Sequence, residues 1–116
     1  MPNTICHIEI ATTDLKKAEG FYGKLFDWKL KPWDSPDYMV FDTGKEPGGG
    51  LMKVDQVKPG EGVLIYVMVD DVEKTLAKAG ELGAKVVKGK TEIPNVGGFG
   101  LLADLDGNVI GVFKGK

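Results

Sequence analysis

The same order of elements can be read twice along this chain, and that repetition restricts its possible folds more than any other feature. Residues 4–11, TICHIEIA, alternate Cys6, Ile8 and Ile10 on one face with Ile5, His7 and Glu9 on the other, the pattern of a half-buried strand. Residues 14–26 then place Leu15, Ala18, Phe21, Tyr22, Leu25 and Phe26 at helical spacing, with Thr13 or Asp14 available as N-cap. WKLKPW, YMVFDT and GGGLMKV follow as three short strands separated by Pro, Asp, Ser and Gly. After the linker DQVKPGEG the order begins again. VLIYVMV reads as a strand, and DVEKTLAKAGELG as a helix opened by Asp70, with Glu73 three residues on and Gly83 at its end. AKVVKG, FGLLAD and NVIGVFKG are the closing strands, the last two joined by a turn at Asp106-Gly107.

Superposing the helix starts puts Asp14 on Asp71, an offset of 57 residues that also carries His7 onto Leu64. Two copies are too few for a solenoid, so the economical arrangement pairs two βαβββ modules about a pseudo-twofold axis. The expected fold is α+β, a single domain over residues 1–116 with module one at about 3–55 and module two at about 62–115. Its curved mixed sheet would form a cup, with the helices outside. Strand parity then points His7 and Glu9 into the cup, together with Leu64, Tyr66 and Met68, and turns Cys6, Ile8, Ile10, Val63, Ile65, Val67 and Val69 toward the helices.

Composition narrows the function. The 15 basic residues are all lysine, against 17 acidic ones, for a net charge of -2. Without arginine or a basic excess the chain lacks the usual equipment for nucleic acid, and a tight phosphate or carboxylate clamp is disfavoured for the same reason. Cys6 is the only cysteine, which excludes an internal disulfide framework and a cysteine-based zinc site. No apolar run approaches the length of a membrane span, and the start MPNTICHIEI enters a strand pattern without a secretory leader, so no membrane partner and a cytoplasmic location are expected.

His7 is the only histidine. An imidazole facing the cup with Glu9 two residues away on the same face is a candidate catalytic pair; the plainer reading is a strand residue hydrogen-bonded or solvated there. Glu9 is either a second acid-base group, a charge that selects a cationic ligand, or a rim residue. Met52, Leu64, Tyr66, Met68, Phe99 and Phe113 are the candidate apolar ligand contacts, with ordinary core packing as the alternative. Trp28 and Trp33 read as packing or interface residues. Asp104-x-Asp106-x-Asn108 starts like a calcium loop, but Val109 and Gly115 stand where glycine and glutamate are needed. Gly48-Gly49-Gly50 is not followed by Lys-Ser/Thr or a helix, which leaves a bulge or a close approach as its use.

The pattern H-x-E-I-x-T-x-D followed by A-x-x-F-Y-x-x-L-F-x-W, from His7 to Trp28, resembles the vicinal oxygen chelate superfamily of glyoxalases, extradiol dioxygenases and bleomycin-resistance proteins. So do the strand ending in Val69-Asp70-Asp71 and the run from Asp104 to Ile110. The resemblance spans essentially the whole chain and implies the cup described above. In the metal-dependent members four positions hold a divalent ion that acts as a Lewis acid. Here those positions fall on His7, on the GGGLMKV strand with Lys53 and the neighbouring Asp55, on Leu64 and on Gly111. Three of the four lack a good donor, so no metal and no other cofactor is expected. The resemblance thus implies a protein that binds a small organic molecule, commonly as a homodimer. The competing reading is a lyase, isomerase or dioxygenase-type enzyme that uses His7 with Glu9 or Tyr66, or with a divalent metal.

Overall fold

A computed structural model describes residues 3–116, which divide into two compact units, one of Cys6–Leu64 and one of Ile65–Lys116 together with the approach to Ile5. The fold is α+β. The first unit contains β1 (Ile5–Thr12), α1 (Leu15–Phe26), β2 (Lys29–Pro32), β3 (Tyr38–Asp42) and β4 (Gly48–Lys53). Its strands run in the order β2-β3-β4-β1, antiparallel except that β1 lies parallel to β4. A parallel pair needs a long crossover, and α1 with β2 and β3 supplies it. The alternation read from residues 4–11 is realised: Ile8 and Ile10 pack with Met39, Phe41 and Leu51 beneath Leu15, Ala18 and Tyr22 of α1. Trp28 closes this layer, stacked on Phe41 with ring centroids 4.6 Å apart and on Tyr22 at 5.3 Å. Asp14 is the N-cap, its carboxylate accepting from Lys17 N at 3.1 Å.

The second unit repeats the order with β5 (Val63–Met68), α2 (Val72–Glu81), β6 (Lys85–Ile93), β7 (Gly97–Ala103) and β8 (Val109–Gly115). The strands run β5-β8-β7-β6, with β5 parallel to β8. Its core is Val69, Val72, Leu76 and Val112, with Val67 and Leu102 against them. Two details differ from the sequence reading, the cap of α2 and the length of β6. The N-cap of α2 is Asp71, not Asp70: its carboxylate takes Lys74 N at 2.9 Å, which leaves Glu73 inside the first turn and no capping box. The turn expected at Asp106-Gly107 is present, with Gly107 at φ 89°, and it closes on Asp104, whose carboxylate accepts from the backbone N–H groups of Asp106 and Asn108 and from the Asn108 side chain. Those bonds, led by the one from the Asn108 backbone, hold its carboxyl below the usual range. Strand β6 continues to Ile93 through two register shifts, at Val86/Lys88 and Lys88/Thr91. Bulges and lysines of this kind suit an edge strand, where regular pairing with another chain must be discouraged.

Asp71 is worth a direct test. Replacing it with alanine removes the acceptor for Lys74 N at the α2 terminus and is expected to cost about 1 kcal/mol. Urea unfolding of the variant reads this as a lower midpoint with an unchanged slope; Asp70→Ala, one residue earlier, should leave the midpoint within error.

Candidate functional site

In β4 the run Gly48-Gly49-Gly50 presents bare backbone, and a tyrosine uses the room. Tyr38, at the start of β3, pairs with Met52, and its side chain crosses β4 over Gly50. A Cβ added to Gly50 would fall inside the ring and hydroxyl of Tyr38, so only glycine permits this approach. On the far side of β4 lies β1, registered with His7 opposite Gly48 and Glu9 opposite Gly50. The phenol arrives between them, 2.8 Å from His7 Nε2 and donating to Glu9 Oε2 at 3.1 Å. The His7 and Tyr38 rings lie 15° from parallel with centroids 6.5 Å apart, the geometry of rings joined end to end through that hydrogen bond. Trp33 stands edge-on to Tyr38 at 5.7 Å and is 45% exposed.

His7, Tyr38 and Glu9 are all half-buried. Burial pushes the His7 imidazole below its ordinary value of 6.5, because the charged form is the one that loses hydration. It pushes the Glu9 carboxyl above 4.5, against the opposing pull of the Tyr38 hydrogen bond. The two shifts have opposite consequences for stability. The folded protein holds the Glu9 proton more tightly than the unfolded chain, so this contribution is complete below about 4.5 and is lost as pH rises through the raised value. For His7 the contribution is present above 6.5 and is lost as pH falls through the lowered value. Melting temperatures measured against pH should therefore show Glu9→Gln gaining on wild type as pH rises above 4.5. His7→Gln should lose ground to wild type as pH rises toward 6.5. Parallel curves for all three proteins would show that neither group is perturbed by folding.

Of the expected contact residues, Met52 is 36% exposed in β4 opposite Tyr38, and Leu64 is half-buried in β5. Tyr66, Met68, Phe99 and Phe113 belong to the second unit. There Phe99 and Phe113 are cross-strand partners, and Tyr66 meets Phe99 edge-on at 6.3 Å. Lys88, which the sequence reading passed over, holds its Nζ 5.4 Å from the Phe99 ring centre, within cation–π range. Tyr66 pairs with Gly111 and covers it so closely that a Cβ there would enter the ring, as Tyr38 does over Gly50. Met68 pairs with Phe113 and is 37% exposed. Cys6 is half-buried, and burial pushes its thiol up, away from the thiolate form. Tyr38 is the residue that sequence reading missed. Its signal was parity: it alternates with Met39 and Phe41, both core residues, and faces a strand of glycines.

The family model described as Glyoxalase/Bleomycin resistance protein/Dioxygenase superfamily matches residues 4–112. The chain belongs to that superfamily. Among its relatives, "Putative glyoxylase CFP32" of Mycobacterium bovis is 33% identical over 78 residues, 67% of this chain and 30% of that protein. The matched segment thus spans less than a third of that relative's length. A glyoxylase-like domain-containing protein of Didymella fabae is 29% identical over 113 residues, covering 90% of this chain and 88% of its own. The crystal structure of methylmalonyl-CoA epimerase from Mycobacterium tuberculosis superposes with a TM-score of 0.76 at 17% identity, covering 97% of this chain and 87% of the epimerase. That likeness is one of fold.

The donor set can be tested against the metal that the superfamily resemblance implies. Leu64 has no donor atom, and Gly111 has no side chain and lies under Tyr66. Lys53 is exposed and cationic, and His7 Nε2 is engaged by Tyr38. Among the described residues no three His, Cys, Asp or Glu side chains form a group that could hold an ion. These residues do not fit a resident divalent metal. No helix of the structure is long and apolar enough to cross a membrane.

Proposed function

We propose that this superfamily member binds a small organic molecule at the face carrying His7, Tyr38 and Glu9, without a resident catalytic metal. The observation that carries this reading is the hydrogen-bonded chain itself. A polar imidazole–phenol–carboxylate set is built from β1 and β3 across the glycines of β4, where the resemblance places a first-strand metal ligand in the metal-dependent members. Met52 and Leu64 of the same unit are proposed as apolar contacts, and Tyr66, Met68, Phe99 and Phe113 as an apolar surface of the other unit. A ligand that reaches Tyr38 changes the surroundings of Trp33, so tryptophan fluorescence during a screen of small organic metabolites reports binding. His7→Ala and Tyr38→Phe should each weaken a hit by about tenfold, the effect of losing one buried polar contact, while Trp33→Phe should remove most of the signal. Elemental analysis of protein purified without chelators should find far less than one ion per chain. A stoichiometric divalent metal, or hits indifferent to both His7 and Tyr38, would overturn the proposal.

A second reading, a metal-free acid-base enzyme, is favoured by one observation: burial moves the proton affinities of His7 and Glu9 toward each other, and Tyr38 connects them. Turnover that survives in wild type but not in His7→Ala, with any detected ligand as substrate, would select it. We propose, from the resemblance, that the chain forms a homodimer, which light scattering coupled to gel filtration reads directly.

A further inference from the structure

The phenolic oxygen of Tyr38 joins two groups but carries one proton. Ionised Glu9 can only accept, so the Tyr38 proton goes to Glu9 Oε2. The contact of 2.8 Å between the same oxygen and His7 Nε2 then requires Nε2 to be the donor. A neutral imidazole with its proton on Nε2 has its lone pair on Nδ1. We propose that Tyr38 is a positioning residue that transmits the Glu9 charge to His7, fixing the neutral ring in the Nε2–H form so that His7 accepts protons and hydrogen bonds through Nδ1. The idea deepens the reading of this face as the functional site, since it says which nitrogen of His7 acts there.

The construction behind this assignment is specific. Gly50 leaves the ring of Tyr38 room to cross β4; strand alternation puts His7 and Glu9 on the same side of β1, and the parallel pairing with β4 registers them opposite Gly48 and Gly50. The end-to-end alignment of the two rings keeps the Nε2–oxygen axis close to the imidazole plane, where the N–H points. Glu9 forms no ion pair among the described residues, so the Tyr38 hydroxyl is the donor the structure provides for its charge.

Because His7 is the only histidine, one measurement reads it without assignment. In full-length protein labelled with 15N-histidine, long-range proton–nitrogen correlations above pH 6.5, where the ring is neutral, should show mainly the Nε2–H tautomer. Glu9→Leu leaves the His7 ring and the Tyr38 hydroxyl in place but removes the acceptor of the Tyr38 proton, which is then free to turn toward Nε2. The ratio of Nε2–H to Nδ1–H should then fall by about two- to tenfold, the equivalent of one net hydrogen bond. Tyr38→Phe removes the acceptor and should shift the ratio in the same direction, with unchanged circular dichroism showing that the fold survives. An Nδ1–H ring in wild type, or a ratio that Glu9→Leu leaves unchanged in folded protein, would overturn the assignment. The tautomer is read without any ligand, so failure of the metabolite screen would sink the binding proposal and leave this result standing.

Discussion

Gly50→Ala is expected to dismantle the candidate site by evicting the Tyr38 side chain, a larger effect than a single added methyl ordinarily has. Its Cβ would occupy the space of the Tyr38 ring and hydroxyl, and Gly50 is itself buried, so the ring has to leave its seat. Overpacking of this kind costs about 1–3 kcal/mol. Expelling Tyr38 also breaks its bonds to His7 and Glu9, each worth about 1 kcal/mol net. The sum, about 3–5 kcal/mol, corresponds to a fall in Tm of roughly 10–20 °C in a domain of this size, measurable by calorimetry. Fluorescence binding should be lost with it. Combining Gly50→Ala with Tyr38→Ala supplies the decisive control, because once the ring is absent the added methyl has nothing to strike. The double variant should then be little worse than Tyr38→Ala alone, a strong departure from additivity. Additive losses would mean that the seat of Tyr38 is not what Gly50 provides.

The second large effect belongs to Leu51, which has no exposed surface at all. It pairs with Ile10 on one side and Met39 on the other and lies in the cluster that holds α1 against its strands. Truncation to alanine removes its transfer free energy and leaves a cavity, for an expected loss of about 2–5 kcal/mol in urea unfolding. Leu105 is the matched control: 77% exposed in the β7–β8 turn, its replacement by alanine should stay within about 0.5 kcal/mol of wild type. A loss at Leu51 no larger than the one at Leu105 would place the core of that unit elsewhere.

Order and type of the elements were legible in the sequence because both follow from local periodicity. The alternation through Cys6, Ile8 and Ile10 and the helical spacing from Leu15 to Phe26 each answer to one physical requirement, that an element hide one face. Boundaries were less legible where local chemistry offered equal choices. Asp70 and Asp71 are both competent caps, and only the direction in which the chain leaves Val69 decides between them. The extension of β6 to Ile93 was hidden because its residues past Gly89 lack an apolar alternation and depend on pairing with β7. Parity correctly put His7 and Glu9 on one side of their strand, but their meeting with Tyr38 is a product of register. Tyr38 is 31 residues from His7, and no local pattern reports that a parallel β1–β4 pair and a glycine seat bring them together. The glycine run carried that information in a form that names a vacancy without naming its occupant.

The described residues begin at Asn3 in one compact unit, leave it after Ile5 to build the other, and return at Ile65. Thr4 illustrates the first part of that path, its carbonyl accepting from Met68 N at 2.8 Å within the unit that otherwise comes from the second half of the sequence. A gene fragment cut at the linker would therefore express a second half missing its opening residues, and a first half carrying a tail that belongs elsewhere. Split-protein reporters or fragment complementation built on this scaffold should instead attach a copy of the leading segment ahead of Val63, so that the acceptor of Met68 N travels with the second piece.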